Sequence, residues 1–412
     1  MSEKTSLKSP AIVAILILLY VSICIEADIN VPSFPDMVNY FGTNEEHIQT
    51  ILSANFLGMC LAGLLYGTLA DSFGRRKTIL NGLFVFCLSS VGCVFAKSFE
   101  LMLFFRFLQG VGAAAPMVVG FSVILDLYTS TEAAALVGVM NTVITGAMAG
   151  APILGSWLNL HFGWRSNFIL LAVLGMVSLV AAFLVIPETL PESNRPKFSP
   201  PAVARDFLKI LVSWRYISRA VVCSLLFSSI IVYIANMSLV FLNHLKVDQR
   251  VFGFYQATTM VCFGIASFIG SSFIRKYGTK MTKEVSLALN GAGALGLFLV
   301  SLFLPTAAFL MCFFMGLVGF GTGIGLGSFA TAPMEVFKSL KGASSAMLTS
   351  TRLVISSVML FLSEKAFNGS MLPAAGIILF SIGTACFLYL ISRSEEETML
   401  EGSSEATPEI LF

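Results

Sequence analysis

Long apolar runs constrain this chain more than any other feature of its sequence. Twelve mostly apolar runs follow one another along the 412 residues, and each is long enough to cross a bilayer as a helix. Only 12% of the residues are charged, about half the share of a soluble domain, so a water-soluble globular protein is excluded. The sequence therefore predicts an all-α membrane protein. The predicted spans lie near residues 11–35, 48–70, 78–96, 101–124, 133–158, 167–186, 217–243, 252–274, 285–304, 306–331, 343–363 and 372–392.

Basic residues are distributed unevenly between the loops that join these spans. With twelve spans both termini lie on one side of the membrane, and placing them in the cytoplasm puts eighteen Lys and Arg inside and five outside. Cytoplasmic loops carry such an excess of basic residues in membrane proteins. We therefore expect cytoplasmic termini. The inner and outer ends of a helix are hereafter the ends that this topology assigns to the two sides.

The longest hydrophilic stretch, residues 187–216, divides the spans into two sets of six. We expect an N-terminal six-helix bundle over residues 1–186 (the N-half) and a pseudo-symmetric C-terminal bundle over residues 217–392 (the C-half). The loop after the second span recurs in degenerate form after the eighth, as an internal repeat would leave it. The linker is either flexible or forms a short interfacial helix. The acidic tail, residues 393–412, is expected to be disordered.

The chemistry-bearing residues exclude several classes of protein. All eight cysteines lie in apolar runs without a C-x-x-C spacing, and the three histidines lie near span ends. We therefore expect no disulfide framework, no metal site and no enzyme active site within the membrane. A formal net charge of only +2 argues against a nucleic-acid partner. Short loops argue against a sensor or scaffold, which would need a soluble domain or a partner surface.

Four charged residues interrupt the predicted spans, where an ionised side chain costs about 2.5–3.5 kcal/mol. Glu26 and Asp28 lie in the first span, Arg106 in the fourth and Arg352 in the eleventh. Two residues correspond to about 200° around a helix, so at most one of the acids faces a central cavity squarely. Arg106 is the natural counter-ion of a first-span acid. Two alternatives remain open: Arg106 forms a static ion pair, and Asp28 is a hydrated acid at the outer interface.

The loop between the second and third spans combines glycines with charges. It contains Gly67, Asp71, Gly74 and Arg75. Gly67 permits close helix contact, Gly74 permits a tight turn, and an acid is favoured at a neighbouring helix N-terminus. We expect these residues to form an inner latch against the start of the eleventh span near residues 342–344.

The fifth span carries a small-residue pattern with a proline. Gly146 and Gly150 form a G-x-x-x-G pair, which favours close helix packing, and Pro152 and Gly155 follow. The proline ring removes a backbone hydrogen bond and predicts a kink. We expect these four residues to form a packing face and a hinge.

Several of these motifs resemble those of one transporter family. Gly67 to Lys77 is similar to the loop signature of the major facilitator superfamily, and Arg106 to Ala114 to its fourth-helix motif. Gly150 to Gly155 resembles the fifth-helix antiporter motif. Asp28 to Pro35 and Pro187 to Leu190 are similar to the first-helix acid and the end of the sixth helix in twelve-span drug:proton antiporters of the Bcr/CflA type. The resemblance implies the fold of this family, with two six-helix bundles around a central cavity.

The resemblance also implies a function, namely proton-coupled export of small lipophilic or drug-like compounds by alternating access. Its partners would be a small-molecule substrate, protons and the lipid bilayer, with no cofactor besides the coupling proton, and the protein would act as a monomer in the bacterial cytoplasmic membrane. The alternative is a transporter of a nutrient or metabolite in either direction, its anionic group bound by Arg106 and Arg352. We expect proton coupling to involve Asp28, Glu26 and Arg106, without deciding which acid carries the proton. The expected substrate cavity contains Asn30, Asn55, Gln109, Asn236 and Arg352.

Overall fold

The structure is a computed structural model that describes residues 10–195, 200–337 and 341–405. The described residues form fourteen α-helices with short 3-10 and π segments and no strand. The all-α fold class is therefore confirmed. The helices are α1 Pro10–Ile29, α2 Phe34–Phe41, α3 Glu45–Ile48, α4 Thr50–Phe73, α5 Arg75–Phe95, α6 Phe99–Leu127, α7 Ser130–Phe162, α8 Arg165–Val185, α9 Pro200–Val212, α10 Trp214–Ser238, α11 Gln249–Phe303, α12 Ala308–Met334, α13 Lys341–Ala366 and α14 Leu372–Glu405.

Eleven helical segments among the described residues are long and apolar enough to cross a membrane. The longest, α11, contains two of the predicted spans in its 55 residues. Gly278 interrupts it with φ 79° and ψ 170°, a backbone conformation that glycine adopts without steric cost. The chain reverses there, so α11 consists of a first arm before Gly278 and a second arm after it. Counting the two arms separately gives the twelve predicted spans.

The first span is interrupted in its middle. Pro32 lies in a 3-10 segment, Val31–Ser33, that separates α1 from α2, and Pro35 lies in the first turn of α2. Prolines lack the backbone donor that a continuous helix needs, so α1 ends within the span of residues 10–41. The side-chain amide of Asn30 donates to the carbonyl of Glu26 at 2.9 Å. This break places both first-span acids in the last turn of α1, at mid-span rather than at the outer interface.

The two halves approach each other closely where α7 meets the first arm of α11. A Cβ on Gly253 would come within 3.0 Å of the backbone of Ile153, and one on Gly264 would meet the Thr145 side chain. A Cβ on Gly146 or Gly150 would instead lie in open space. The predicted packing role of the G-x-x-x-G pair is therefore wrong in this structure, because the glycines that permit the close approach belong to the facing helix.

Two other members of the predicted hinge do lie at close contacts. A Cβ on Gly155 would meet the backbone of Ile29 at the end of α1. Pro152 lies inside α7, and its carbonyl oxygen would be 2.9 Å from a Cβ on Gly253. Motion at these positions stays a prediction.

The linker and the tail contain more helix than composition alone requires. Helix α9, Pro200–Val212, lies in the linker, with Ile210 fully buried. Helix α14 continues to Glu405 and so includes part of the segment that was predicted to be disordered. Glutamate, which is frequent there, is a good helix former. Residues 406–412 lie outside the described part of the chain.

Candidate functional site

The side chain of Glu26 forms a buried ion pair with Arg106. Arg106 Nη1 lies 2.8 Å from Glu26 Oε1, and the two side chains are 0% and 1% exposed. The same nitrogen donates to Gln109 Oε1 at 2.7 Å, and Asn55 donates to the Glu26 carboxylate. We call Glu26, Asn55, Arg106 and Gln109 the paired centre. The opposite charges compensate each other within the ion pair, although Arg106 Nε and Nη2 are buried without a hydrogen-bond partner among the described residues.

Residue spacing on α6 and a glycine explain how the side chains of the paired centre come together. Arg106 and Gln109 are three residues apart and so share one face of α6. A Cβ on Gly110 would meet the carbonyl of Asn55, so the glycine lets α6 lie against α4. Gln109 Nε2 donates to Ser90 Oγ on α5 at 2.8 Å, which adds a third helix. The paired centre thus ties together four helices of the N-half.

The side chain of Asp28 lies on the opposite face of α1. It is 3% exposed, so the alternative of a hydrated interfacial acid is contradicted. Its Oδ2 is buried and has no hydrogen-bond partner, and none of its atoms lies within 4.0 Å of a cationic nitrogen among the described residues. Cys24, one helical turn earlier, lies within electrostatic range of Asp28, Arg352 and Glu26. This face of α1 therefore looks across to the C-half.

Arg352 on α13 is the cation that faces α1 from the C-half. Its guanidinium stacks on the ring of Phe227 from α10, with Cζ 4.7 Å from the centroid, and its Nε is buried without a hydrogen-bond partner. The side chain is partly exposed, and no carboxylate of the described residues lies within salt-bridge distance of it. We call Cys24, Asp28, Phe227 and Arg352 the open centre, since its acid and its base do not pair.

The other residues predicted for the substrate cavity lie elsewhere. Asn55 and Gln109 belong to the paired centre, and Asn30 caps the carbonyl of Glu26. Asn236 lies in a hydrogen-bond network near the outer end of α10. All four are buried, and their side-chain amides donate hydrogen bonds to backbone or side-chain acceptors. In this conformation only Arg352, of the five predicted residues, is accessible.

The predicted latch residues form an ionic network at the inner end of the N-half. Asp71 Oδ1 lies 2.6 Å from Arg75 Nη1, and Arg75 Nε lies 3.3 Å from Asp126 Oδ2. The backbone nitrogen of Arg75 donates to Glu188 Oε1 at 2.9 Å. Gly74 has φ 104°, and a Cβ there would collide with the Glu188 carboxylate. The sequence analysis missed Asp126 and Glu188, which lie far from Arg75 along the chain.

The predicted contact of the latch with α13 is absent from the ion pairs and hydrogen bonds of the described side chains, and Gly342, one of the predicted partners, lies outside them. The network joins α4, α5, α6 and the start of the linker, and the side chain nearest to a Cβ on Gly67 is Val118 of α6, at 3.9 Å. The carbonyl of Ser344, near the start of α13, accepts a hydrogen bond from Tyr216 of the C-half. Among the described residues, the ionic network and the hydrogen bond to Ser344 therefore do not join the two halves.

Polar contacts between the halves occur at their outer ends. Glu45 Oε2 lies 2.9 Å from His244 Nε2, and Asn243 donates to the same carboxylate. Gln49 Nε2 donates to Asn236 Oδ1 at 3.2 Å. Glu45 and Gln49 lie near the start of the second span. Their partners His244, Asn243 and Asn236 lie near the end of α10.

Two further pairs complete this outer contact. His47 Nε2 lies 4.0 Å from Glu364 Oε1, and Ser156 Oγ donates to the carbonyl of Gln249. We call these pairs, with those of Glu45 and Gln49, the outer interlock. Because the sequence analysis tested the histidines only as metal ligands, it missed the interlock. The acids near span ends were a usable signal.

Contacts between the halves continue at mid-span. Cys60 Sγ lies 3.5 Å from the carbonyl of Ser350, and Ser350 Oγ lies 3.5 Å from the carbonyl of Cys60. Both residues lie near the middle of their helices, α4 and α13. Among the side chains that the structure describes, the hydrogen bonds between the halves therefore lie at mid-span and at the outer ends.

Comparison with known proteins agrees with this architecture. A family model described as the Major Facilitator Superfamily matches residues 16–360. The chain is 26% identical to a bicyclomycin resistance protein homolog of Haemophilus influenzae over 81% of this chain and 83% of the relative. It is 27% identical to the multidrug resistance protein MdtL of Shewanella sp. (strain ANA-3) over 78% and 80%, respectively. These relatives agree with the antiporter type that the motifs resemble.

Solved structures share the fold at low identity. A D-xylose-proton symporter superimposes with a TM-score of 0.72 at 13% identity, over 92% of this chain and 97% of that one. A bacterial homolog of the human lysosomal transporter Spinster, in an inward-facing and occupied conformation, superimposes with a TM-score of 0.71 at 16% identity, over 94% and 98%. The matched family model covers most of the helical bundle described above, and its members are transporters rather than enzymes. The chain therefore belongs to the Major Facilitator Superfamily and is an integral membrane transporter.

Proposed function

We propose that this protein is a proton-coupled antiporter that exports small lipophilic compounds by alternating access, with Asp28 as the proton carrier. The observation that carries the proposal is the contrast between the two acids of α1. Glu26 is held in an ion pair with Arg106, whereas Asp28 is buried without an ion-pair partner among the described residues. Buried ionisable groups within a membrane are typical of proton pathways.

Asp28 is suited to carry a proton because it has no ion-pair partner among the described residues. A carboxyl group without a fixed cation gains and loses its charge without breaking an ion pair. Protonation of Glu26 would leave Arg106 buried without its counter-charge, which costs several kcal/mol. We therefore assign Glu26 and Arg106 a structural role and Asp28 the change of ionisation.

The alternating motion is proposed from the distribution of contacts between the halves. The outer interlock joins them on one side, and the inner network of Asp71 and Arg75 stays within the N-half. We propose that this conformation is open to the inner side. The outer interlock would then break as the halves rock, and the Asp71 loop would contact α13 in the outward-open state.

The substrate class is proposed from the relatives. Two of them are named for resistance to bicyclomycin or to multiple drugs. The open centre provides an aromatic surface at Phe227 beside the guanidinium of Arg352. Such a site accepts lipophilic compounds that carry a polar group.

The direct test is solute flux in proteoliposomes under an imposed pH gradient. Lipophilic cations, neutral drugs and small carboxylates would be screened with the wild type, with Asp28→Asn, and with Asp36→Asn as the control. Asp36 is an acid of the same span that bonds to Asn159 outside both centres. We expect Asp28→Asn alone to lose the dependence of flux on the gradient. A gradient dependence equal to that of the wild type would refute the assignment.

A second candidate is a transporter of an anionic metabolite. It is favoured by Arg352, which is partly exposed and has no carboxylate partner among the described residues. Guanidinium groups bind carboxylates in a bidentate geometry. Competition for flux separates the candidates, since carboxylates would compete for the anion transporter and lipophilic cations for the drug exporter.

A further inference from the structure

A cavity of about 280 Å³ lies at the inner end of the C-half, away from both charge centres. It opens between α10, the second arm of α11, α12 and α14. Four of its lining side chains are cationic: Arg219, Lys280, Lys283 and Arg393. Cations from three separate helical segments thus converge on one partly open cavity.

The first turn of a helix also lines this cavity. The backbone leaves the helical conformation at Gly278 and resumes it in the second arm, so Thr279 and Lys280 belong to the first turn of that arm, and both line the cavity. Unpaired backbone donors and the helix dipole make such an end favourable for an anion. The helix N-terminus and the four cations therefore both favour an anionic ligand.

The remaining lining residues add hydroxyl donors and an apolar wall. Tyr389 and Ser392 on α14 contribute hydroxyl groups, and Val222 and Phe329 contribute apolar surface. Among the described residues, the lining contains no carboxylate. Glu284, beside the cavity, pairs with Arg393 at 2.8 Å. Hydrogen-bond donors over an apolar wall match a phosphate with an attached hydrocarbon chain.

The depth of the cavity matches the membrane interface. Arg393 is the last residue of its candidate span, and Arg219 lies five residues after Trp214, where its own span begins. Basic pockets between helices at the cytoplasmic side are suited to anionic lipid head groups. The positions of these residues therefore place the cavity where head-group phosphates lie.

We propose that this cavity is a binding site for a phosphate group, either on the head group of an anionic phospholipid or on a free phosphate compound. The ligand would bridge α10, α11 and α14 at the inner end of the C-half. It would thereby stabilise the packing of that half without entering the transport pathway. The site is independent of the proposed proton carrier and of the substrate.

The test measures thermal stability of the purified full-length protein in detergent. The probes are inorganic phosphate, phosphatidylglycerol and, as the neutral comparison, phosphatidylcholine. The variant is Lys280→Gln with Lys283→Gln. The control is Arg275→Gln with Lys276→Gln, which removes the same two charges from exposed positions just before Gly278 that do not line the cavity.

We expect phosphatidylglycerol to raise the melting temperature of the wild type and the control more than phosphatidylcholine does. Loss of the two lysines should weaken the apparent affinity for phosphatidylglycerol by about 30-fold, since each of the two cations contributes about equally to the binding free energy. A response to inorganic phosphate as well identifies the phosphate alone as the ligand. A response to the lipid only identifies the head group together with its chain. Lys283→Gln alone serves the same comparison if the double variant does not fold.

Three outcomes would overturn the proposal. The first is an equal response to phosphatidylglycerol and phosphatidylcholine, or none to any probe. The second is the same loss in the control variant. The third concerns the tail, whose glutamates follow Arg393 in the sequence. If replacing Glu395, Glu396 and Glu397 by Gln abolishes the effect of the lysine variant, the tail rather than a phosphate is the partner of these cations.

Discussion

The two charge centres lie on opposite faces of the same helix and differ in how their charges are compensated. In the paired centre, Glu26 and Arg106 lie 2.8 Å apart and are held by two amide side chains. In the open centre, Asp28 and Arg352 have no ion-pair partner among the described residues. Burial alone therefore does not identify a functional charge in a membrane. A compensated pair stabilises the bundle, whereas an uncompensated group is free to change its charge or bind a ligand.

The largest effect expected from this contrast is on stability. Glu26→Gln leaves Arg106 buried without its counter-charge and should lower the free energy of unfolding by about 3–5 kcal/mol. Asp28→Asn removes no ion pair and should change it by less than about 1.5 kcal/mol. Unfolding of both variants in detergent, followed by circular dichroism, gives the comparison. Equal losses in the two variants would show that the centres do not differ in this way.

Two native cysteines report on the accessibility of the centres. Cys24 belongs to the open centre and is partly exposed, whereas Cys93 lies within electrostatic range of Arg106 and Glu26 and is fully buried. Because a buried thiol reacts only after local opening, a thiol reagent should modify Cys24 at least about 10-fold faster. Mass spectrometry of the labelled peptides measures both rates in one sample. Similar rates would mean that the open centre is not accessible.

The outer interlock should control that accessibility. Asn236→Ala removes the hydrogen bond from Gln49 across the halves and should favour the outward-open state about fivefold, as expected for the loss of about 1 kcal/mol. Labelling of Cys24 from the inner side should slow accordingly. Asn290→Ala is the control, since Asn290 bonds to Thr322 and Ser286 within the C-half. An equal change in Asn290→Ala would show that the outer interlock does not control the accessibility of Cys24.

A small effect on stability is expected at Arg352. Arg352→Gln breaks no ion pair among the described residues, and the lost contact with Phe227 is worth about 0.5–2 kcal/mol. Arg106→Gln should cost about 3–5 kcal/mol by the same argument as Glu26→Gln. Thermal unfolding of the two variants side by side tests the ranking. The account of the open centre is wrong if Arg352→Gln is as damaging as Arg106→Gln.

Much of the fold could be predicted because it depends on the composition of continuous segments. Every predicted span is helical in the structure, since its apolar length alone decides whether it crosses a bilayer. The break after α1 was not predicted, although Pro32 and Pro35 were a usable signal for it. The sequence also indicated that Arg106 is the counter-ion of a first-span acid.

The choice between the two acids could not be predicted. Glu26 and Asp28 differ by about 200° around the helix axis, and only the packing of α1 against α6, α7 and α8 decides which face meets Arg106. The outer interlock was missed for a related reason. Glu45 and His244 are 199 residues apart, and each by itself has the appearance of a solvated span end.

The central claim is that Asp28, not Glu26, changes its protonation in the working range of pH. Infrared difference spectra of the purified protein, recorded between acidic and alkaline buffer, detect a protonated buried carboxyl without knowledge of the substrate. The account predicts a carboxyl band in the wild type that shifts in Asp28→Glu and is absent in Asp28→Asn. A band that persists unchanged in Asp28→Asn would contradict it.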